Sequence, residues 1–178
     1  DAAAYQEILT SFVGSNPETF GGGIWFEPYQ YRPEQRYFSP YCMRQNGAVT
    51  YVDNYSLGEG VYYTDQDWYT NAANTTQKSV WSAPYYDEFA QISMVTSSAP
   101  IYDETGRFLG VATADIDLTQ MQQMVLSLDV VANGRAFLID DTGVYIADED
   151  SEKLLSANIL EDDNPSFAAL GRQILSQQ

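Results

Sequence analysis

The sequence predicts an α+β fold in which antiparallel strands form sheets and helices pack on them. Apolar residues recur at helical spacing over residues 2–13. Segments 91–102 and 108–118 are rich in residues that suit strands, and a turn sequence at 103–106 joins them. A second hairpin is predicted around Asn46-Gly47, the strongest short-range hairpin signal. Adjacent hairpins and a flanking helix are typical of the α+β class.

The first half of the chain begins with the predicted helix 2–13, which should end near Gly14. The three glycines at 21–23 have no Lys-Ser/Thr and no predicted helix after them, so the signal for a phosphate-binding loop is weak. We expect them to form a loop that leads into an edge strand at 24–26. Segments 37–44 and 48–55 are the predicted strands of the Asn46-Gly47 hairpin.

The next elements surround the two long strands. Asp65 is predicted to cap a short helix that runs through Ala73, and a single strand is predicted over 78–86. A helix is expected over 118–128, followed by a hairpin from 135–141 and 144–147. Asn164 should cap a last helix over 165–175, with Pro165 at its first position.

Strand 108–118 has two different faces. Alternation places Phe108, Gly110, Ala112, Ala114 and Ile116 on one face, and the other carries the polar residues, among them Asp115. A carboxylate near the end of an apolar strand is costly unless a partner satisfies it. Asp115 is therefore the first candidate for a functional residue.

Composition limits the possible functions. The chain has 178 residues and a net charge of −17, which makes nucleic acids and anionic membrane surfaces unfavourable partners. It has no histidine, the commonest metal ligand and general base. Its single cysteine, Cys42, is expected to be a small buried residue. The acidic run 148–152 lacks the pattern of a calcium loop and is expected to be solvated. We predict no cofactor, no metal site and no catalytic residues.

Several motifs, in this order and spacing, carry a resemblance to a known family. They are Asp-Gln-Asp-Trp-Tyr at 65–69, Trp81, Pro-Tyr-Tyr-Asp at 84–87, Ala-Pro-Ile-Tyr-Asp at 99–103, Gly-Arg-Phe-Leu-Gly-Val at 106–111, Ala-Asp-Ile-Asp-Leu at 114–118 and Gly-Arg-Ala-Phe-Leu-Ile-Asp at 134–140. Over about residues 23–148 the sequence resembles double Cache domains, the extracytoplasmic ligand-binding domains of sensor histidine kinases and chemoreceptors.

The resemblance implies PAS-like antiparallel sheet modules packed on a long N-terminal helix. Residues 1–118 would form that helix and a membrane-distal ligand-binding module. Residues 119–178 would form a linking helix and a membrane-proximal module that looks incomplete. It further implies a cell-membrane receptor, tethered by flanking helices absent from this sequence, that dimerises and signals across the membrane to a histidine kinase or chemoreceptor output.

The resemblance also implies a ligand site. In the amino-acid-binding branch, an Arg two positions before a Trp-Tyr pair holds the ligand carboxylate, and a later Tyr and an Asp hold its ammonium. The matching residues here are Gln66, Trp68, Tyr69, Tyr85 or Tyr86, and Asp115. Because Gln66 stands at the Arg position, we expect a cationic amine or an amino-acid-like ligand that need not carry a carboxylate.

Other hypotheses stay open at this stage. Arg32, Arg36 or Arg44 could supply the missing cation, which would restore an ordinary amino-acid or organic-acid site. The aromatic residues could instead form an extracellular carbohydrate- or polymer-binding groove, or Trp68, Tyr69 and Trp81 could be core residues. A hydrolase that uses two carboxylates, drawn from Asp65, Asp67, Asp87 and Asp115, is a third possibility.

Overall fold

The computed structural model describes residues 2–52, 55, 60–128 and 134–177. The chain divides into two compact units, 1–117 and 118–178. The predicted boundary lies at 118/119, and the predicted membrane-distal and membrane-proximal roles of the two parts stay predictions. In the described part of the chain, no helix combines the length and the apolar character needed to cross a bilayer.

The first unit contains one antiparallel sheet and two α-helices, as the α+β class requires. Its elements are α1 (Ala2–Ser15), β1 (Gly21–Phe26), β2 (Tyr41–Gln45), β3 (Ala48–Val52), α2 (Asp67–Ala73), β4 (Val80–Trp81), β5 (Tyr85–Asp87), β6 (Ile92–Tyr102) and β7 (Phe108–Asp117). The strand order is β3-β2-β1-β7-β6-β4, and β5 also pairs with β6. All the pairs are antiparallel, so the predicted fold class is confirmed.

The glycines at 21–23 correct the sequence-based expectation. They lie inside β1, which is a central strand between β2 and β7. The reason is steric: a Cβ atom at Gly21 would overlap the Tyr41 hydroxyl, and one at Gly22 would press on the ring of Phe12 in α1. The glycines therefore let side chains approach β1 closely from both faces of the sheet.

The sheet has a different core on each face. On one face, Leu9 and Val13 of α1 pack with Cys42, which is fully buried as predicted. On the other face, α2 covers a larger cluster that is rich in aromatic residues and includes Phe20, Trp25, Tyr41, Tyr55, Tyr63, Trp68 and Tyr69. Alternation along β2 explains the division, because Tyr41 and Cys42 point to opposite faces.

Two local predictions around α2 also need correction. Residue 66, not Asp65, is the N-cap of α2, and its side chain makes no capping hydrogen bond; residues 63–65 form a separate 3-10 turn. The strand predicted over 78–86 is two short strands, β4 and β5. Between them, the amide of Ser82 donates to the Thr96 carbonyl of β6 (2.9 Å), and Pro84 has no amide to donate.

The second unit contains the elements α3 (Leu118–Leu126), β8 (Leu138–Ile139), β9 (Tyr145–Ala147) and α4 (Pro165–Leu175), with 3-10 turns at 151–153 and 159–161. Helix α3 ends two residues before the predicted end. Strands β8 and β9 form a two-stranded antiparallel sheet. Asn164 caps α4 as predicted, because its side chain accepts a hydrogen bond from the amide of Ser166.

The β-turns at 103–106 and 140–143, which have similar sequences, are closed by the same hydrogen bonds. In the first unit, Oδ1 of Asp103 accepts hydrogen bonds from the amide and hydroxyl of Thr105 and from the amide of Arg107. In the second unit, Oδ1 of Asp140 accepts the same set from Thr142 and Val144. The first residue of each turn therefore holds the turn closed.

Asp148 departs from the prediction that the run 148–152 is solvated. Its side chain is fully buried and forms an ion pair with Arg135, at 2.9 Å. Glu149, next in the run, is exposed and contacts the same guanidinium at 3.1 Å. Asp148 directly follows β9, and it is buried together with Tyr145 and Ala147 of that strand. A buried carboxylate in this place is stable because an arginine neutralises it.

Arg44 joins the end of α1 to the sheet. Its guanidinium donates hydrogen bonds to the carbonyl oxygens of Val13 (2.5 Å), Asn16 (3.1 Å) and Thr19 (3.0 Å). The first lies in the last turn of α1, whose carbonyls lack partners within the helix. Arg44 therefore satisfies the helix end and fixes the connection from α1 to β1.

Replacing Arg44 with methionine should lower the free energy of unfolding of the first unit by about 2–4 kcal/mol, because several charge-assisted hydrogen bonds are lost together. Urea denaturation followed by tryptophan fluorescence measures this, since all three tryptophans lie in the first unit. The matched control is Arg107→Met, which removes an exposed ion pair with Asp103 and should cost less than about 1 kcal/mol. Equal losses in the two variants would contradict the role given to Arg44.

Candidate functional site

A small cavity, here called the inner pocket, lies between the sheet and α2. Five aromatic rings form most of its wall: Trp25, Tyr41, Tyr55, Trp68 and Tyr85. Met94 and Thr113 complete the wall on the sheet side, and two carboxylates, Asp87 and Asp115, also line it. The inner pocket is therefore an apolar, aromatic space with two acidic groups.

Asp115 reaches the inner pocket from near the end of β7. It lies opposite Gly21 of β1 and Thr96 of β6, and only 3% of its surface is exposed. Its two oxygens accept separate hydrogen bonds, one from the Tyr41 hydroxyl (2.6 Å) and one from the Thr96 hydroxyl (2.8 Å). The partners that the sequence left open are thus a tyrosine and a threonine from the two neighbouring strands.

Asp87 is the second buried carboxylate, with 5% of its surface exposed. It ends β5, and its Oδ1 accepts hydrogen bonds from the Tyr55 hydroxyl (2.5 Å) and the Ala90 amide (2.6 Å). Sequence reasoning considered Asp87 only as one of four possible hydrolase carboxylates. Strand alternation could have identified Asp87 as a site residue, because it places Tyr85 and Asp87 on the same face of β5.

Burial governs the ionisation of the inner pocket. It raises the pKa of Asp115 to about 6, and the nearby charge of Asp87 acts in the same direction. The hydrogen bonds from Tyr41 and Thr96 favour the charged carboxylate and lower this pKa in part. Burial and the neighbouring carboxylates also raise the pKa of Tyr41 and of Tyr55. Both phenols therefore stay protonated and donate to the carboxylates.

The inner pocket is narrow. Its volume is about 10 Å³, which is room for about one water molecule. The rings that surround it are packed on one another: the centroids of Trp25 and Trp68 are 4.8 Å apart, and those of Tyr41 and Tyr55 are also 4.8 Å apart. A group that enters without moving these rings must therefore be about as small as water.

A larger depression, here called the outer cleft, adjoins the inner pocket. It has a volume of about 310 Å³, at the lower end of the range for small-molecule sites. Its lining comes from the start of α2 and the β4–β5 connection: Asp65, Gln66, Asp67, Trp68, Ser82, Ala83, Pro84, Tyr85 and Tyr86. Trp68 and Tyr85 line both spaces, so these two side chains separate the inner pocket from the outer cleft.

The structure distributes the predicted site residues over three places. Trp68, Tyr85 and Asp115 line the inner pocket. Gln66 and the half-exposed Tyr86 line the outer cleft. Tyr69 lies elsewhere in the aromatic core.

Tyr69 is 2% exposed, and its hydroxyl donates to Oε2 of Glu27 at 2.7 Å. It lines neither the inner pocket nor the outer cleft. The sequence left open whether Tyr85 or Tyr86 is the tyrosine of the ligand site. Of the two, Tyr85 lines the inner pocket.

Sequence reasoning did not find Trp25, Tyr41, Tyr55 or Thr113. The indole of Trp25 donates to the Thr113 hydroxyl at 2.8 Å, and the two tyrosines hold the carboxylates. These residues come from β1, β2, β7 and the segment after β3, and only the pairing of distant strands brings them together. No spacing in the sequence indicates that arrangement.

The three arginines considered as substitutes for the missing cation lie elsewhere. Arg32 stacks on the ring of Tyr31, and Arg36 lies over Tyr37 and Tyr62. Arg44 binds the end of α1. None of them lines the inner pocket or the outer cleft. Among the described residues, no group of three or more potential ligand side chains is placed to hold a metal ion.

Comparison with known proteins agrees with this architecture. Residues 5–123 match the family described as the first PDC sensor domain of methyl-accepting chemotaxis protein-like receptors. The chain belongs to this family. The chemotaxis protein McpC of Bacillus subtilis (strain 168) is 38% identical over 84 residues, which is 47% of this chain and 13% of McpC. The chain thus spans a small part of that relative's length.

Solved structures show the same fold. The extracellular domain of a protein named as a histidine kinase, soHK1S-Z6, is 29% identical with a TM-score of 0.72, over 97% of this chain and 64% of that one. The ligand-binding domain of the amino acid chemoreceptor PctC from Pseudomonas aeruginosa PAO1, in complex with GABA, is 20% identical with a TM-score of 0.60, over 90% and 62%. The expected PAS-like sensor fold is confirmed, and the chain is a sensor domain.

Protonation of Asp115 should make the ligand-free first unit more stable in mild acid. A group whose folded pKa is raised contributes stability below its unfolded pKa, and that contribution is lost as the pH rises through about 6. The free energy of unfolding should therefore fall by about 2 kcal/mol between about pH 4.5 and about pH 7.5 because of this residue.

Denaturant titrations at several pH values measure this dependence. Asp115→Asn should remove the contribution of this residue to the pH dependence. The matched control is Asp103→Asn, because the hydrogen bonds from Thr105 hold the pKa of Asp103 at about 2, below that interval. A pH dependence that survives in Asp115→Asn would contradict the assignment.

Proposed function

We propose that the first unit binds a small molecule through a positively charged amino group, held between Asp87 and Asp115. The single observation that carries this proposal is the inner pocket itself, which contains two buried carboxylates and no lysine or arginine among its lining residues. Buried carboxylates are otherwise found paired with cations. The ion pair of Arg135 with Asp148 in the second unit is an example in this same chain.

The two carboxylates and the aromatic rings of the inner pocket both attract a cation. Two carboxylates in an aromatic pocket disfavour each other's ionisation, and a cation between them removes that penalty. The ring faces of Trp25, Trp68 and the tyrosines add cation–π attraction, worth about 0.5–2 kcal/mol per favourable contact. Tyrosine hydroxyls already orient both carboxylates, so little side-chain ordering is needed when the ligand binds.

The relatives give limited support on the ligand. PctC is named as an amino acid chemoreceptor and binds GABA, and the chemoreceptor CtaA from Pseudomonas fluorescens is in complex with L-valine. An amino group is common to both ligands. Because these likenesses are below 25% identity, they support the amino group only alongside the two carboxylates of this chain.

The geometry gives less support to a carbohydrate- or polymer-binding groove. Such a groove needs exposed rings, whereas Trp25 and Trp68, the tryptophans that line the inner pocket, are buried in the aromatic core. We further propose that the domain binds its ligand without chemistry, as a part of a membrane-bound receptor dimer, on the extracytoplasmic side.

Isothermal titration calorimetry against primary and methylated amines, amino acids, short carboxylates and sugars tests the binding proposal. We expect binding among the compounds with an amino group, and a loss of affinity of at least about 30-fold in Asp115→Asn and in Asp87→Asn, because truncating a buried charge pair costs about 2–5 kcal/mol. The control is Glu104→Gln, which removes one negative charge from an exposed turn and should leave affinity unchanged.

Two results would contradict the proposal. One is binding of sugars or carboxylates in place of amines. The other is undiminished amine affinity in both aspartate variants. Thermal unfolding of each variant without ligand separates a lost site from a lost fold.

Hydrogen bonds connect Asp115 to the end of α1. The backbone carbonyl of Asp115 accepts the amide of Phe20 (2.8 Å), and the Phe20 carbonyl accepts the amide of Arg44 (2.8 Å). The Arg44 side chain then holds the last turn of α1. We propose that ligand binding at Asp115 shifts the population of α1 positions through these bonds, which requires different affinities for the two conformations.

Hydrogen–deuterium exchange should detect this coupling. A saturating amine ligand should slow amide exchange in peptides that cover residues 12–20 and 41–45. The turn at 103–106 serves as the control, because it lies about 25 Å from Asp115 along β7 and should exchange at an unchanged rate. Protection confined to the residues that line the inner pocket would contradict the proposed route.

A further inference from the structure

We propose that the ligand is a primary amine whose other end carries no negative charge, with its –NH3⁺ group in the inner pocket and its body in the outer cleft. This inference rests on the proposed amino-group site and goes beyond it in naming the ligand class. Two observations carry it: the size of the inner pocket and the lining of the outer cleft.

The inner pocket selects the head group by size. Its volume of about 10 Å³ suits a group about as large as water, and an –NH3⁺ group meets this limit. A trimethylammonium group has three methyl groups in place of the hydrogens and would have to separate Trp25 from Trp68 and Tyr41 from Tyr55. Those ring pairs belong to the main core of the first unit, so their separation is costly.

The inner pocket also offers what a primary ammonium needs. Such a group has three N–H donors, and an ionised carboxylate has about four acceptor positions. Each Asp115 oxygen accepts one hydrogen bond, from Tyr41 or Thr96, so each can accept a second. The Tyr41 and Tyr55 hydroxyls use their own protons on the carboxylates, so each presents only acceptor positions to the ammonium. A quaternary ammonium would leave the remaining acceptor positions unused.

We place the ligand body in the outer cleft because the two spaces share part of their walls. Trp68 and Tyr85 line both the inner pocket and the outer cleft, so a chain attached to the ammonium passes between these two rings. The outer cleft, at about 310 Å³, has room for a short aliphatic chain. The aromatic faces of Trp68 and Tyr85 suit methylene groups in contact with them.

The outer cleft discriminates against an anionic tail. Asp65 and Asp67 are negatively charged neighbours there, Gln66 is neutral, and no lysine or arginine lines it. A carboxylate in this cleft would meet repulsion and would find no bidentate cationic partner. The two aspartates make a negatively charged tail unfavourable, so a ligand whose tail is a hydroxyl, amide or amino group is preferred.

Two matched ligand pairs test the inference by calorimetry on the wild-type chain. For the head, ethanolamine should bind at least about ten times more tightly than choline, which differs only by three methyl groups. For the tail, 4-amino-1-butanol should bind at least about ten times more tightly than GABA, which has the same chain length and a carboxylate in place of the alcohol. A tenfold difference in Kd corresponds to about 1.4 kcal/mol.

One substitution in the outer cleft should reverse the tail preference. In Gln66→Arg, GABA should gain at least about tenfold in affinity, while 4-amino-1-butanol should not gain. We expect Gln66 to tolerate the change because its side chain does not cap α2 and, among the described residues, its one hydrogen bond is a long one to the Tyr62 carbonyl (3.3 Å). The control is Gln66→Met, of similar size and without charge, which should not improve GABA binding.

The outcomes separate this inference from the proposed function. If choline binds as tightly as ethanolamine, or GABA as tightly as 4-amino-1-butanol, the inference is overturned while the amino-group site stands. If no compound with an amino group binds and another class does, both are overturned. The expected order in both pairs, together with the gain for GABA in Gln66→Arg, would support the inference.

Discussion

The hydrogen bond between the Tyr41 hydroxyl and the Asp115 carboxylate is the contact on which the first unit depends. Tyr41 belongs to β2 and Asp115 to β7, and β1 lies between them. The phenol ring can cross β1 only because Gly21 has no side chain in its path. Glycine weakens a strand interior, so its presence in a central strand has a compensating reason here. The glycine that weakens β1 leaves the space through which Tyr41 reaches the Asp115 carboxylate.

Strand β1 lies between the inner pocket on one face of the sheet and helix α1 on the other face. Tyr41 lies against β1 on the pocket side, while Phe12 of α1 lies against Gly22 on the opposite side. One layer of backbone therefore separates the carboxylate pocket from the N-terminal helix. Packed interiors transmit small displacements because they have little free volume. In the proposed function, a pocket of about 10 Å³ beside such a thin wall would couple the charge of a bound ligand to the position of the helix.

The sequence predicted what depends on local pattern. Turn chemistry located both hairpin turns, periodicity located α1 and α4, and alternation placed Asp115 near the end of β7. The site was less predictable, because its walls come from strands that pair over long separations, such as Tyr41 with Asp115. Two predictions from local sequence were wrong because the residues are buried. The glycines at 21–23 were expected in a loop and lie inside β1, and Asp148 was expected to be solvated and is buried. In both cases the deciding contact, with Tyr41 or with Arg135, lies outside the local segment.

Asp148 and Asp115 are both buried carboxylates, and they differ in how their charge is balanced. Asp148 has a permanent cation, Arg135, so its charge is balanced in every state of the protein. Asp115 has only neutral hydrogen-bond donors, so its negative charge is oriented and left unbalanced. In the proposed function, the free energy that a built-in arginine would contribute to folding is left for a ligand to contribute on binding. An unbalanced buried carboxylate lowers the stability of the free state, and a bound cation would restore that stability, which is how the proposed ligand would favour one conformation over another.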